Sequence, residues 1–318
     1  MGAYLVRRLL LVIPAIVLIT MAVFLAQRFI PGSVIDTLAS QSLGTIGSGV
    51  DRAELEHRLG LDAPMYVQYF RWVGGMLHGD LGTSLLGSLN VTDIITRRFP
   101  VTFELGILAI LISLIGGIPI GIYSAVRQNS MGDYIGRTFA IICIAIPGFW
   151  VGLLVVIYPA IWWNWSPSIE YIPITKNFGQ NIIQFIIPAA ILGMSSLGVT
   201  MRMTRTMMLE VLKQDYIRTA WAKGLKERVV VIRHGLRNAL IPVVTLIGLY
   251  IPVIVGGSVI LEQLFTLPGL GRSVFEALNA RDYPIVSGIN LVIALFVVLT
   301  NLVIDMTYSY IDPRIRYK

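Results

Sequence analysis

Only 14% of the 318 residues are charged and 55% are hydrophobic, whereas a soluble domain carries about a quarter charged residues. That composition excludes an ordinary soluble globular protein. In such a chain the net charge of +7 reads as basic residues retained on the cytoplasmic face of a membrane, with no nucleic-acid partner implied.

The single cysteine, Cys143, lies in an apolar run and leaves no intrachain disulfide or cysteine metal cluster to consider. At the N-terminus, Arg7-Arg8 precede an apolar stretch running from Leu9 to about Phe29. A secretory signal has an apolar region of only about 7–15 residues and ends in a small-x-small site. Neither holds here, so the stretch is the first of six predicted spans. These cover roughly 8–30, 101–126, 136–163, 182–202, 240–261 and 286–309, each long enough for a bilayer core of about 30 Å. Pro14, Pro119, Pro147, Pro188 and Pro252 fall inside them. In a bundle, neighbouring groups re-satisfy the carbonyl that each proline frees, so every segment is kept as one span. Gly116-Gly117, Gly121 and Gly256-Gly257 read as close helix packing.

Segment 31–100 is too long for a structureless connection. Asp51, Glu54 and Gly60 carry the cap signals of one helix. Pro64 opens a second, where Tyr66, Tyr69, Phe70, Val73, Met76 and Leu77 recur at helical spacing. Gly79-Asp80-Leu81-Gly82 ends it. This is a partly helical cap on the outer face, its aromatics expected against the bundle rather than in the headgroups. With the N-terminus inside, segments 1–8, 127–137, 202–240 and 305–318 hold sixteen Lys and Arg residues, and the short outer loops 164–181 and 262–285 hold three. Both termini are therefore expected in the cytoplasm.

The stretch Arg202–Pro242 carries nine of the twenty-five basic residues. Within it, Asp215 suits an N-cap, while Lys223 and Gly224 suit a last turn and C′ position. The result is a helix of about eight residues and roughly 12 Å, too short to stand alone in water. Ala220 and Ala222 keep it thin and Tyr216 and Trp221 give it bulk, a surface that fits a groove on another protein. Elsewhere, Glu104 and Asp305 lie near span ends and are assigned packing roles. No lysine follows a glycine, so the chain has no Walker A motif. His-Glu-x-x-His and Gly-x-Ser-x-Gly are absent too, which argues against an intramembrane enzyme. An ion-gradient-driven secondary transporter is the main alternative; it calls for midplane carboxylates and an internal repeat, and neither is evident.

Arg218-Thr219-Ala220-x-Ala222-Lys223-Gly224-Leu225, followed by Arg233-His234-x-Leu236-Arg237-Asn238-Ala239-Leu240-Ile241-Pro242, resembles the coupling-loop signature of ABC importer permeases. The version is similar to that of the dipeptide, oligopeptide and nickel family, in the branch of the first permease subunit. The likeness continues in Leu59-Gly60-Leu61-Asp62-x-Pro64, Leu77-His78-Gly79-Asp80-Leu81-Gly82-Thr83-Ser84, Arg98-x-Pro100-Val101-Thr102, Ile146-Pro147, Glu262-x-x-Phe265-x-x-Pro268-Gly269-Leu270-Gly271 and Asp312-Pro313-Arg314. The broader signature begins Glu-Ala-Ala where this chain has Arg218-Thr219-Ala220, and Trp221 stands where the branch often has arginine.

The resemblance implies an all-α integral membrane protein with the six-helix type I ABC importer permease fold. Its parts are an N-terminus and first helix (1–30), an outer helical loop (31–100), a five-helix core (101–309) with coupling loop 203–240, and a cytoplasmic tail (310–318). It implies half of a translocation pathway for di- or oligopeptides in a bacterial or archaeal cytoplasmic membrane; nickel, glutathione and oligosaccharides are the alternative cargoes. The implied partners are a paralogous permease, two cytoplasmic ATPases that bind ATP and Mg, and an extracytoplasmic substrate-binding protein. The chain itself would bind no cofactor or metal and catalyse nothing. Asp215, Tyr216, Arg218, Thr219, Ala220, Trp221, Lys223, Gly224 and Leu225 would couple to the ATPases, with Ala220, Trp221, Lys223 and Gly224 in contact. Arg233, His234, Arg237 and Asn238 would brace that lever, and Glu262, Phe265, Pro268 and Gly269 would stand at an outer gate.

Overall fold

The computed structural model describes residues 2–28, 57, 62–86 and 89–311. The helix expected from Asp51 to Gly60 and the Asp312-Pro313-Arg314 motif lie outside the described residues, apart from His57. Among the described residues the chain is helical, and a lone antiparallel bridge joins Thr83 to Asn90. Apolar sequence in a membrane must satisfy its backbone within the segment, and helices do so.

Each of the six predicted apolar segments is found in helix. The helices outside the cytoplasmic segment are α1 (Gly2–Arg28), α2 (Met65–Leu77), α3 (Val91–Val126), α4 (Met131–Ala145), α5 (Gly148–Trp163) and α6 (Phe178–Val211). After that segment the chain continues with a further long helix (Arg237–Leu264), then Leu270–Ala280 and Tyr283–Ile311. The 36 residues of α3 and the 34 of α6 correspond to about 50 Å each, well beyond a bilayer core.

The third span departs from expectation. Segment 136–163 is not one helix: α4 and α5 meet at a 90° bend. Pro147 lacks an N–H and pushes the preceding residue out of the α region; Ile146 accordingly has φ −87° and ψ 124°. The Pro147 carbonyl then accepts the N–H groups of Trp150 at 3.0 Å and Val151 at 3.3 Å, which starts α5. Pro14 and Pro188 stay inside their helices.

The chain divides into two compact units, one taking the described residues up to 100 together with 269–302, the other 101–268 and the residues from 303. In the first, Val91, Ile95, Leu270 and Ile289 form a core with Leu81 and Phe99 against it. Ser84 donates to the buried Asp282 carboxylate, which also accepts the Leu85 N–H at 3.2 Å. This ties the loop after α2 to the segment before Tyr283. In the same unit His57 hydrogen-bonds Asp62 at 2.7 Å, and that bond holds the Asp62 carboxyl below its usual range. The aromatics of α2 divide: Tyr69 packs on Phe24 of α1, whereas Tyr66 and Phe70 are exposed.

The second unit packs Val101, Leu105, Phe185, Ala189, Ile191, Leu261, Phe265 and Leu267 into its largest core. Here α6 runs close to its neighbours because glycines remove the intervening side chains. A Cβ on Gly193 would overlap the Ala109 carbonyl, and one on Gly198 would lie 2.6 Å from the Ala140 carbonyl oxygen. A hydroxyl cluster adds to the α3–α6 contact, with Ser113 Oγ 3.0 Å from Ser196 Oγ and 3.2 Å from Thr200 Oγ1.

Candidate functional site: the cytoplasmic lever

The basic segment belongs entirely to the second unit. Beyond α6, a turn carries the chain into α7 (Asp215–Ala222). Gln214 occupies the N-cap position, with φ −70° and ψ 150° and no side-chain cap. Asp215, expected to be the cap, is instead the first helical residue. The Gln214 carbonyl already accepts from Ile217 at 3.0 Å and Arg218 at 3.2 Å, so the helix starts one residue earlier than a cap at Asp215 requires. Its carboxylate still complements the helix N-terminus and lies 3.4 Å from Arg218 Nη1.

The other end is a complete Schellman motif. Gly224 N–H donates to Trp221 O at 2.9 Å, Leu225 N–H donates to Ala220 O at 3.4 Å, and Gly224 has φ +74°. Open space surrounds the position of a Cβ on Gly224, so glycine is required by the left-handed backbone and not by crowding. The hydrophobic contact that accompanies such motifs is present: Leu225 packs with Ile217, Ala220, Val230 and Leu212.

This packing sorts the predicted contact residues. Ile217 is fully buried and Ala220 is 6% exposed. Ala220 was expected on the partner-facing surface and is corrected here: it faces Val230 of its own chain, because helical spacing puts it on the side of Ile217. Tyr216, Arg218, Thr219, Trp221, Ala222, Lys223 and Gly224 are exposed. Trp221 and Tyr216 keep 46% and 42% of their surface open, an aromatic pair on a helix whose other side is fixed.

After α7, a helical turn at Glu227–Val229 enters a π-helical stretch, Val230–Leu236, which continues into α8 (Arg237–Leu264). Val230, Val231 and Gly235 are its buried residues. π-Helical turns are rare and concentrate at functional sites; no residue pattern in the chain announced this one. Of the four bracing candidates, Asn238 contacts the lever, its Nδ2 donating to Tyr216 Oη at 2.8 Å. Arg233 and Arg237 are exposed and His234 is half-buried. Those three make no hydrogen bond or ion pair among the described residues.

Below the lever lies a polar cluster that sequence reasoning passed over. Arg205 of α6 grips Asp133 of α4 through Nε to Oδ1 and Nη2 to Oδ2, both 2.8 Å. Ser124 of α3 donates to the same carboxylate, and the Asn129 N–H donates to its other oxygen at 3.0 Å. Asp133 is fully buried and Arg205 is largely so. Such bidentate, charge-assisted bonds fix geometry as well as energy. They join α3, α4 and α6 ten residues before Asp215. Met208, Val231, Ala239 and Ala125 pack beside them as an apolar stem. The available signals were Ser130 three residues before Asp133, whose hydroxyl accepts the Asp133 N–H at 3.3 Å, and an arginine in a helix that begins as a span.

At the other end of α8, Glu262 is fully buried and accepts from Thr102 Oγ1 at 2.7 Å. Its carbonyl receives the Leu267 N–H at 2.9 Å. Phe265 is in the main core and Pro268 is half-buried. Gly269 caps α9 (Leu270–Ala280), where Ser273 Oγ donates to its carbonyl at 2.8 Å. Glu262 and Phe265 thus pack in the interior of this chain, and Phe265 also lines a cavity with Trp165, Ile183 and Leu267. Among the described residues, Glu104 Oε1 is buried without a hydrogen bond. A cavity of about 250 Å³ opens at the α4–α5 break, lined by Phe149, Ile191, Ser196, Tyr250, Ile254 and Leu261 among others.

Residues 117–317 match the family model described as the binding-protein-dependent transport system inner membrane component, and residues 1–106 match its N-terminal companion. The chain is 40% identical over 321 residues to the oligopeptide transport system permease protein AppB of Bacillus subtilis, covering 100% of both chains. It is 38% identical over 339 residues to the dipeptide transport system permease protein DppB of Escherichia coli K12, covering 99% of each. In fold it is similar to a chain of the MetNI methionine ABC transporter in its inward-facing form, with a TM-score of 0.53 and 16% identity. That match covers 69% of this chain and 96% of the other.

Proposed function

The chain belongs to the binding-protein-dependent transport system inner membrane components, and from that premise we propose that it forms half of an ATP-driven import pathway for di- and oligopeptides. It is a permease subunit of a binding-protein-dependent importer, a transport subunit and not an enzyme. The other half of the pathway is a paralogous permease. Two cytoplasmic ATPases bind ATP and Mg²⁺, and an extracytoplasmic binding protein delivers the cargo. Both termini face the cytoplasm, in keeping with the distribution of Lys and Arg. Full-length similarity to permeases named for dipeptides and oligopeptides supports the peptide class.

The observation that carries the coupling role is α7 itself. It is an eight-residue helix with one face buried against Val230 and the other presenting Tyr216, Trp221 and Lys223 to a partner. A push on that exposed face passes through Ile217 and Ala220 to Val230, and so into the π-turn at the foot of α8. Arg205 and Asp133 hold the ends of α3, α4 and α6 together at the same level, so the stem moves as a block. ATP-driven approach of the ATPases thereby tilts the spanning helices instead of bending a loop.

Reconstitution with the paralogous permease, the ATPases and the binding protein tests this reading. Peptide uptake should require ATP and persist when ion gradients are collapsed by ionophores. Uptake that needs a gradient and ignores ATP would overturn it.

A further inference from the structure

We propose that α2 is an interfacial helix: it lies against the bilayer surface at the end of α1 remote from the N-terminus, with Tyr66, Phe70, Val73 and Leu77 in the boundary between headgroups and acyl chains. This goes beyond the transport reading and depends only on α1 being a membrane helix. Three observations within the first unit carry it.

The first is depth. Thr20 Oγ1 and Tyr69 Oη are 2.9 Å apart, the Phe24 and Tyr69 rings meet edge-on at 5.5 Å, and Trp72 lies 6.3 Å from Phe24. Thr20 and Phe24 precede Arg28, the last residue of α1, by eight and four positions, or about 12 and 6 Å along the axis. Interfacial helices bury their apolar faces by about 5–10 Å, so a contact about 6–12 Å from the end of α1 suits α2 lying at the membrane surface.

The second is the pattern of exposure. Tyr66, Phe70 and Leu77 are 67%, 67% and 77% exposed. With Val73 they follow the i, i+4, i+7, i+11 spacing of a single helical stripe. No residue of α2 is buried. Gln68 and Arg71 lie roughly opposite, at 100° per residue. Gln68 Nε2 bonds Ala63 O at 2.7 Å, and Arg71 is exposed. The helix therefore has one face on α1, one apolar face open and one polar face, the arrangement that lies in an interface plane.

The third is continuity. Leu18, Met21 and Leu25 of α1 are exposed as well, so the helix that carries α2 also presents apolar surface of the kind a membrane helix turns to acyl chains. Tyrosine and tryptophan favour this depth because their rings are apolar and their tips polar.

The assembled transporter in nanodiscs tests this, with Cys143→Ser removing the native thiol and an NBD fluorophore placed at Phe70→Cys, Leu77→Cys or Arg71→Cys. The labels at 70 and 77 should emit to the blue of the label at 71 and be quenched at least three-fold more by lipids bearing a nitroxide near the headgroup. Water-like, unquenched emission at all three positions would overturn the proposal. Shielding at 70 that appears only when the binding protein is added, with no quenching by the lipid nitroxide, would also overturn it, in favour of a protein partner. Benzoylphenylalanine at position 70, with Cys143 left intact, gives an independent reading. A lipid adduct supports the proposal and a protein cross-link contradicts it.

Discussion

The helices α7 and α2 are both short and both lie at the edge of the spans, yet they are held in opposite ways. The eight residues of α7 are fixed by a Schellman motif, two buried side chains and the Tyr216–Asn238 bond. The thirteen residues of α2 bury no side chain fully and rest on α1 through Tyr69 and Trp72. A helix that transmits force needs a rigid seat and a mixed aromatic and charged outer face. One that floats at an interface needs an apolar stripe and little else. The contrast predicts that α7 is sensitive to single changes beneath it, whereas α2 tolerates them.

The largest effect belongs to the stem under α7. Asp133→Ala leaves the Arg205 guanidinium without its partner, and losing one member of a buried pair costs about 3 kcal/mol or more. A marked fall in the thermal unfolding midpoint and loss of uptake are expected, and Asp133→Ala with Arg205→Met should recover part of the midpoint. An unchanged midpoint in the single variant would show that the stem is not what stiffens α7.

Next comes the seat. Ile217→Asp places a carboxylate among Ala220, Val230, Leu212 and Leu225, where an unpaired charge is strongly disfavoured. ATP-dependent uptake should drop at least ten-fold while the protein still inserts into the membrane. Gly224→Val follows, because a β-branched residue at φ +74° is strained by about 1–2 kcal/mol. Uptake should fall several-fold, and Gly224→Asn, which visits that region more readily, should lose less. Equal losses in the two variants would point to the space around Gly224 rather than to its backbone.

Tyr216→Phe removes one partly exposed hydrogen bond worth about 0.5–1 kcal/mol, so uptake should change by no more than about five-fold. The smallest effect is Phe70→Ala on α2, which should leave ATP-stimulated uptake within two-fold of the parent. A loss as large as that of Ile217→Asp would erase the distinction between the two helices.

Legibility in the sequence followed the range of the interactions. Spans were readable because apolar runs of bilayer length have few other uses, and the end of α7 was readable because a C′ glycine acts through its own backbone. The 90° break at Ile146-Pro147 was not, since a proline inside an apolar run can be absorbed or obeyed, and Pro188 shows the first outcome. Burial of Ala220 depends on Val230, ten residues on, and the Asp133–Arg205 grip joins positions 72 residues apart. The resemblance put Glu262 at an outer gate, but its burial was not legible from the span pattern. Its partner, Thr102, is 160 residues away.

Site-specific photo-crosslinking at two neighbouring positions of α7 tests the central claim most directly. With benzoylphenylalanine at Trp221 in the assembled transporter, the account predicts a cross-link to an ATPase subunit whose yield changes with bound nucleotide. At Ala220 it predicts reaction within the chain itself. Absence of an ATPase adduct at Trp221 in an intact, transporting complex, or an ATPase adduct at Ala220 of equal strength, would contradict it.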